Sequence, residues 1–232
     1  MCTRYISPET AAIEREWHVG RNNPWKGRTE PIDVFPGYEA PFVRPAVKDT
    51  PVRQRELVVG QWNLIPWFAK EPKLKYATCN ARSEELLEKS SYKLPWSRGQ
   101  RCIIPAAVFF EPNWESGKHV RWAFERADGL PWGLAGLWNT WTNKATGEIH
   151  ETFTMLTINA DDHALMNRMH KPDPNQPPHL QDKRSVVPIE FDDVDRWLFG
   201  TSEEASQLVR LTPMEKFIAG PEGATRSQPD LF

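Results

Sequence analysis

Cysteine stands at position 2, directly behind the initiator methionine, in Met1-Cys2-Thr3-Arg4-Tyr5. Once Met1 is removed, such a residue carries an α-amine and a thiol on adjacent carbons, a pair that no internal cysteine offers. An aldehyde condenses with the amine to an imine, and the thiol then closes on the imine carbon to give a five-membered thiazolidine. The reaction needs an amine that is partly neutral, which a pKa of about 8 provides near pH 7, and a thiol that a nearby base or positive charge can help to ionise. The alternative reading of Cys2 is a small buried hydrophobe. A second reactive candidate is Glu111, at the end of the apolar run Val108-Phe109-Phe110. Partial desolvation there suits a carboxylate to trading protons, and an ordinary glutamate at a strand end is the alternative.

Length and composition bound what surrounds these groups. A chain of 232 residues supports one substantial core, and one domain is expected. Apolar residues at 39% and charged residues at 26% exclude wholesale disorder, and no apolar run reaches the roughly 20 residues that cross a bilayer. The N-terminus leads into Glu14-Arg15-Glu16 rather than into the apolar stretch of a secretion signal, which predicts a protein that stays inside the cell. Cys2, Cys79 and Cys102 are odd in number and lack CxxC spacing, so reduced thiols are expected, with no metal site and no cofactor. The net charge of −2 speaks against a generic duplex-DNA binder but hides an asymmetry. From Lys70 to Arg101 eight basic residues face four acidic ones, whereas from Glu190 to Phe232 nine acids face four bases. The basic stretch is either a groove for an anionic ligand or a solvated face.

The elements that must position Cys2 and Glu111 follow from local pattern. Ser7-Pro8-Glu9 reads as a capped helix start, with the helix running to about Trp17. Gly20 to Pro51, rich in Pro, Gly and Asn, reads as surface loops with at most one short strand. Strands are expected at Glu56 to Leu64, Arg101 to Phe110, His119 to Glu125, Trp132 to Trp138 and Glu148 to Thr157, several of them pairing antiparallel. Helices are expected at Ser83 to Lys89, Asp161 to Met169, Phe191 to Phe199 and Ser202 to Val209. The segment Lys171 to Asp182, with Pro172, Pro174, Pro177 and Pro178, must be irregular. Strands and helices do not alternate, so the class is α+β, with residues 1–220 as one domain and 221–232 as a disordered tail.

Six ordered blocks resemble the SRAP family (SOS response-associated peptidase) across Met1 to about Ile189. They are Met1-Cys2-Thr3-Arg4-Tyr5; Trp62-Asn63-Leu64-Ile65-Pro66-Trp67; Asn80-Ala81-Arg82-Ser83-Glu84; Arg101-Cys102-Ile103-Ile104-Pro105 with Phe109-Phe110-Glu111; Leu156-Thr157-Ile158-Asn159-Ala160; and Met169-His170-Lys171-Pro172 continuing to Lys183-Arg184-Ser185-Val186-Val187-Pro188. Each block alone is weak, and the ordered set is specific. The resemblance implies a curved, mostly antiparallel, barrel-like core with flanking helices, and an abasic sugar in single-stranded DNA as the aldehyde that Cys2 captures. It implies an autoproteolytic cysteine peptidase that crosslinks itself to DNA, with room for an abasic-site lyase activity. The implied setting is a monomer in a bacterial-type cytoplasm, associated with the nucleoid when DNA is damaged.

By the same resemblance Asn80 positions the new N-terminus, Glu111 is the catalytic glutamate, and His170 assists ring opening or imine proton transfer. His170 is preferred over His163 and His179 because Met169-His170-Lys171-Pro172 closes the expected helix. Arg4, Arg82 and Arg184 match backbone-contacting arginines, Trp67 and Phe68 the aromatic wedge beside the lesion, and Thr157 a hydroxyl near it. The chain departs from the family pattern at Thr3 and Asn63, where glycine is usual, at Pro112, where tryptophan is usual, and in the insertion Lys171 to Asp182. A thiol peptidase with Cys2 as nucleophile and His170 as base is the competing enzymatic reading. A noncatalytic single-strand binding module built on Trp67, Phe68 and the basic stretch is the third.

Overall fold

A computed structural model describes residues 1–19, 30–46 and 54–224. In chain order its elements are β1 (Tyr5–Ser7), α1 (Thr10–Trp17), β2 (Ile32–Val34), β3 (Glu39–Pro45), β4 (Arg55–Trp62), β5 (Asn80–Arg82), α2 (Ser90–Ser97), β6 (Arg101–Ala106), β7 (Val108–Asn113), β8 (Val120–Arg126), β9 (Trp132–Thr142), β10 (Ile149–Asn159), β11 (Arg184–Val186), α3 (Val194–Phe199), α4 (Ser202–Ser206) and β12 (Phe217–Pro221). The class is α+β.

The strands β10-β4-β3-β6-β9 form a closed ring, because β9 returns to pair antiparallel with β10 from Thr142↔Ile149 to Gly136↔Met155. Closure leaves these strands without a free edge over that length. Within the wall, a Cβ on Gly136 would lie 2.7 Å from the Thr154 carbonyl oxygen and 2.9 Å from Cys102 Sγ, so only glycine fits. Strand β10 is the hub: it also takes β5 in parallel (Met155↔Asn80 to Thr157↔Arg82) and β11 antiparallel. A second sheet, β12-β8-β7-β1-β2, packs beside the ring.

Two apolar cores result. One gathers Cys2, Tyr5, Phe42, Trp62, Phe109, Phe124, Trp132 and Phe153, all fully buried, between the ring and the second sheet. The other packs α1, α2 and α3 onto the barrel through Ile13, Trp17, Trp96 and Trp197. Burying a large apolar side chain contributes roughly 1.5–3 kcal/mol, so these aromatics dominate the fold's stability.

Several local expectations are corrected. The single strand expected from Arg101 to Phe110 is two strands that part at Ala107, whose N–H bonds the Ile6 carbonyl (2.7 Å); β6 stays in the ring and β7 crosses to the second sheet. Ser7 is no helix cap: it ends β1, buried, and Glu9 occupies the N-cap without a side-chain bond. Gly20 to Pro51 holds β2 and the seven-residue β3, because burying Phe42 and Val43 overrides the breaking tendency of Pro41 and Pro45; residues 20–29 and 47–53 lie outside the described residues. Ser83 to Lys89 yields one 3-10 turn, Ser83–Glu85, and the helix comes after it as α2 with Pro95 inside. Asp161 to Met169 is turns with a 3-10 turn at Met166–Arg168. The segment from Lys171 to Asp182 is irregular, as its prolines require. Of the expected tail, Pro221 closes β12, and residues 225–232 lie outside the described residues.

Candidate functional site around Cys2

The crossing of the chain at Ala107 builds the site. It lays β7 against β1, with Tyr5 opposite Phe109 and the Phe110 N–H on the Arg4 carbonyl (3.0 Å), and this register sets residues 2–4 alongside 110–112. Cys2 is fully buried, its Sγ donating to the Arg4 carbonyl at 3.3 Å. Asn80, fixed in β5 by its pairing to β10 and by the Tyr92 hydroxyl on its carbonyl (3.0 Å), donates from Nδ2 to the Cys2 carbonyl at 2.7 Å. The side chain of Glu111 is fully buried. Its Oε2 accepts from His170 Nε2 at 2.8 Å and lies 3.6 Å from the Met1 ammonium. A buried carboxylate needs such partners to stay charged.

His170 comes to Glu111 by a route that helix logic did not foresee. Its backbone is left-handed (φ 62), and its N–H bonds the Pro112 carbonyl (2.6 Å) while Met169 bridges Asn113. A non-glycine residue pays roughly 1–2 kcal/mol for that conformation, so the neighbouring contacts must hold it. The competing histidines are accounted for otherwise. His163 is buried, with Nε2 on the Thr212 carbonyl (2.8 Å) and Nδ1 accepting the Leu165 and Met166 N–H groups, and His179 is exposed in the proline-rich loop.

Burial pushes the Cys2 thiol well above the usual thiol range, and the negative Glu111 adds to this; hydrogen bonding to the Arg4 backbone and the N-terminal ammonium pull the other way without offsetting it. While Met1 is in place, the sulfur is therefore a protonated thiol at neutral pH. Glu111 Oε1, Asn80 Oδ1 and His170 Nδ1 are buried and have no hydrogen-bond partner among the described residues, which leaves the cluster with unused donor and acceptor capacity. A cavity of about 380 Å3 opens onto it, lined by Met1, Arg4, Phe110, Glu111, Trp114 and His170 among others.

Of the remaining site candidates only Arg4 lines this cavity. Arg4 bridges to the cavity rim, stacked 4.2 Å over Phe110 and bonded to Asp33 (2.7 and 3.0 Å) and Glu222 (2.6 Å). Arg82 pairs with Glu85 and Asp182, and buried Arg184 with Glu84 (2.7 Å) and Asp182 (3.2 Å). Thr157 is fully buried, its carbonyl accepting from Arg184 (2.9 Å). Trp67 and Phe68 pack edge to face (5.7 Å) on a separate groove with Trp141, Trp67 being 62% exposed.

The family model for the SOS response associated peptidase (SRAP) matches residues 1–221. The chain belongs to the SRAP family. Among curated relatives it is 31% identical over 136 residues to the abasic site processing protein HMCES of Gallus gallus, covering 50% of this chain and 40% of that protein. With the abasic site processing protein YobE of Bacillus subtilis it shares 28% over 166 residues, 64% of this chain and 73% of the relative. The HMCES proteins of Gallus gallus and Xenopus tropicalis are matched over 40% and 54% of their length, so the chain spans about half of these relatives. A solved structure from Bordetella bronchiseptica superposes with a TM-score of 0.79 at 31% identity, covering 96% of this chain and 100% of that one. One from Bacteroides thetaiotaomicron, at 21% identity and TM-score 0.76, shares the fold. Sequence reasoning missed Trp114. Its signal was the tryptophan absent directly after Glu111, which reappears two residues beyond Pro112 and lines the cavity.

Proposed function

We propose that this SRAP protein removes its own Met1 and then traps the aldehyde of an abasic site in single-stranded DNA on Cys2. The observation that carries the reading is the convergence on one residue. Asn80 grips the Cys2 carbonyl, and the Glu111–His170 pair stands at the N-terminal amine, all beside an open cavity.

In the first step water adds to the Met1 carbonyl carbon and the Met1–Cys2 C–N bond breaks; Glu111 takes the water proton and returns it to the departing Cys2 nitrogen. Methionine leaves as the free acid. The new ammonium now sits on Cys2 itself, where its charge favours the thiolate more strongly than it does from Met1. In the second step the Cys2 amine condenses with the aldehyde, releasing one water, and Sγ adds to the imine carbon while the thiol proton passes to nitrogen. His170 and Glu111 relay these protons, and Asn80 holds the backbone in register. Arg4, Arg82 and Arg184 bind phosphates by exchanging their carboxylate partners for them, and Trp67 and Phe68 offer the flat faces on which bases stack. While Met1 is in place, burial holds the Cys2 thiol protonated, which disfavours a Cys2 thiolate as the nucleophile of the first step.

The test is a denaturing gel. Protein mixed with an abasic single-stranded oligonucleotide gives a heat-stable adduct, and C2A gives none. Intact mass shows Met1 gone before the adduct forms. An adduct undiminished in C2A, or equal retention of intact and abasic strands without any covalent product, refutes the proposal.

A further inference from the structure

Lys183 has no part in the chemistry above, and it does not line the cavity. It stands at the far end of the insertion Lys171 to Asp182, with His170 at the near end. Its side chain is buried, and its ammonium donates bonds of 2.7 Å to two carbonyl oxygens, those of Met169 and His170. The root of the side chain is fixed as well. The Lys183 N–H bonds Asp161 Oδ1 (2.8 Å), the Asp182 N–H bonds Asp161 Oδ2 (3.1 Å), and the Lys183 carbonyl accepts from Ala160 (2.7 Å), at the end of β10. An ammonium taken out of water and given to neutral carbonyls is costly, and burial lowers its pKa, with Asp161 pulling the other way. Chains keep such an arrangement where it fixes something else.

What it fixes is the backbone of His170. A left-handed histidine persists only where its surroundings over-determine it, and here two carbonyls converging on one ammonium act together with the His170 N–H on Pro112. We infer that Lys183 is a positioning residue: it staples the base of the 171–182 insertion shut and locks His170 with its imidazole on Glu111. The insertion can then vary in length and course without moving the histidine. The inference rests on the proposed function only in taking the His170–Glu111 pair as the proton-transfer centre.

Two measurements on the full chain decide it. In protein labelled with 15N-histidine, the His170 ring signals are those lost in H170A. The Nε2–H signal bonded to Glu111 should be slowly exchanging in wild type, lost in K183M and retained in K183R. An unchanged His170 signal in K183M overturns the inference. With saturating abasic oligonucleotide, K183M should slow adduct formation by roughly tenfold to a hundredfold, the loss that accompanies an ångström-scale misplacement. It should leave affinity for an intact strand unchanged and cause no further slowing in an H170A background. Equal slowing in H170A and wild-type backgrounds overturns it. Should K183M fail to fold, K183Q, which keeps a neutral donor, takes its place, with partial loss of the ring signal expected and an unchanged signal overturning the claim. If wild type forms no adduct at all, the functional proposal fails, and the ring signal still decides the role of Lys183.

Discussion

Two tryptophans five residues apart divide the molecule into its two working regions. Trp62 is fully buried, its indole N–H on the Cys79 carbonyl (2.7 Å) and its ring edge-on to Tyr5 at 5.1 Å, under the floor that carries Cys2. Trp67 is 62% exposed and stands on a rim with Phe68. The Cys2 region is buried, hydrogen-bonded and held between β1, β5 and β7, so its reacting groups are set before any ligand arrives. The Trp67 region and the paired arginines are solvent-facing or carboxylate-bound, so they engage a ligand only by exchanging water or an acid for it. On the proposed function this contrast separates chemistry from capture: changes in the first region should act on rate, and changes in the second on affinity and salt dependence.

The largest expected effect breaks the first region. Glu111→Gln keeps the shape but loses the base, and should slow adduct formation at saturating DNA by about 10²–10⁴-fold while leaving binding of intact strands unchanged; stopped gel time courses and anisotropy measure the two. The thiol sharpens the same region. Burial raises its pKa, so in chains that retain Met1 alkylation of Cys2 should be slow near pH 7 and rise only above the ordinary thiol range. In processed chains the adjacent ammonium lowers the pKa, and the alkylation profile should shift to lower pH; mass spectrometry across a pH series reads both forms. In the second region Trp67→Ala should weaken single-strand affinity by about 1–3 kcal/mol without slowing the reaction of bound DNA. The smallest effect is expected from Asp182→Asn, which releases Arg82 and Arg184 from a shared acid. Removing one exposed ion-pair partner is a matter of about 0.2–1 kcal/mol, so affinity should tighten by up to about fivefold and the salt slope should steepen.

How far the residues disclosed this design differs between the regions. The case for Cys2 is local, because the chemistry expected of it depends on chain position, not on packing. Glu111 was readable only as one of two alternatives, since an apolar run ending in an acid does not say whether the acid is buried. The distinction arose at Ala107, where a continuous β-like run breaks between two sheets, and no propensity marks that break because both halves favour strand equally. The local pattern places His170 at the end of a helix, whereas residues 161–169 form turns; His170 reaches its place through a left-handed backbone, the Met169 bridge to Asn113 and the Lys183 contact on its carbonyl. Strand β3 was hidden by its prolines, because the burial of Phe42 and Val43 is a tertiary gain that local rules do not contain.

The α+β class and the ordered blocks of the SRAP family are legible in the residues alone, because residue chemistry, periodicity and turn composition are local properties. Which carboxylate meets which imidazole, how deeply the Cys2 thiol is buried, and that each of the three arginines already holds an acid come only from the packing of the chain. Those outcomes depend on burial and on contacts between residues as much as 218 positions apart, such as Arg4 and Glu222, and only the packing of the two sheets sets them.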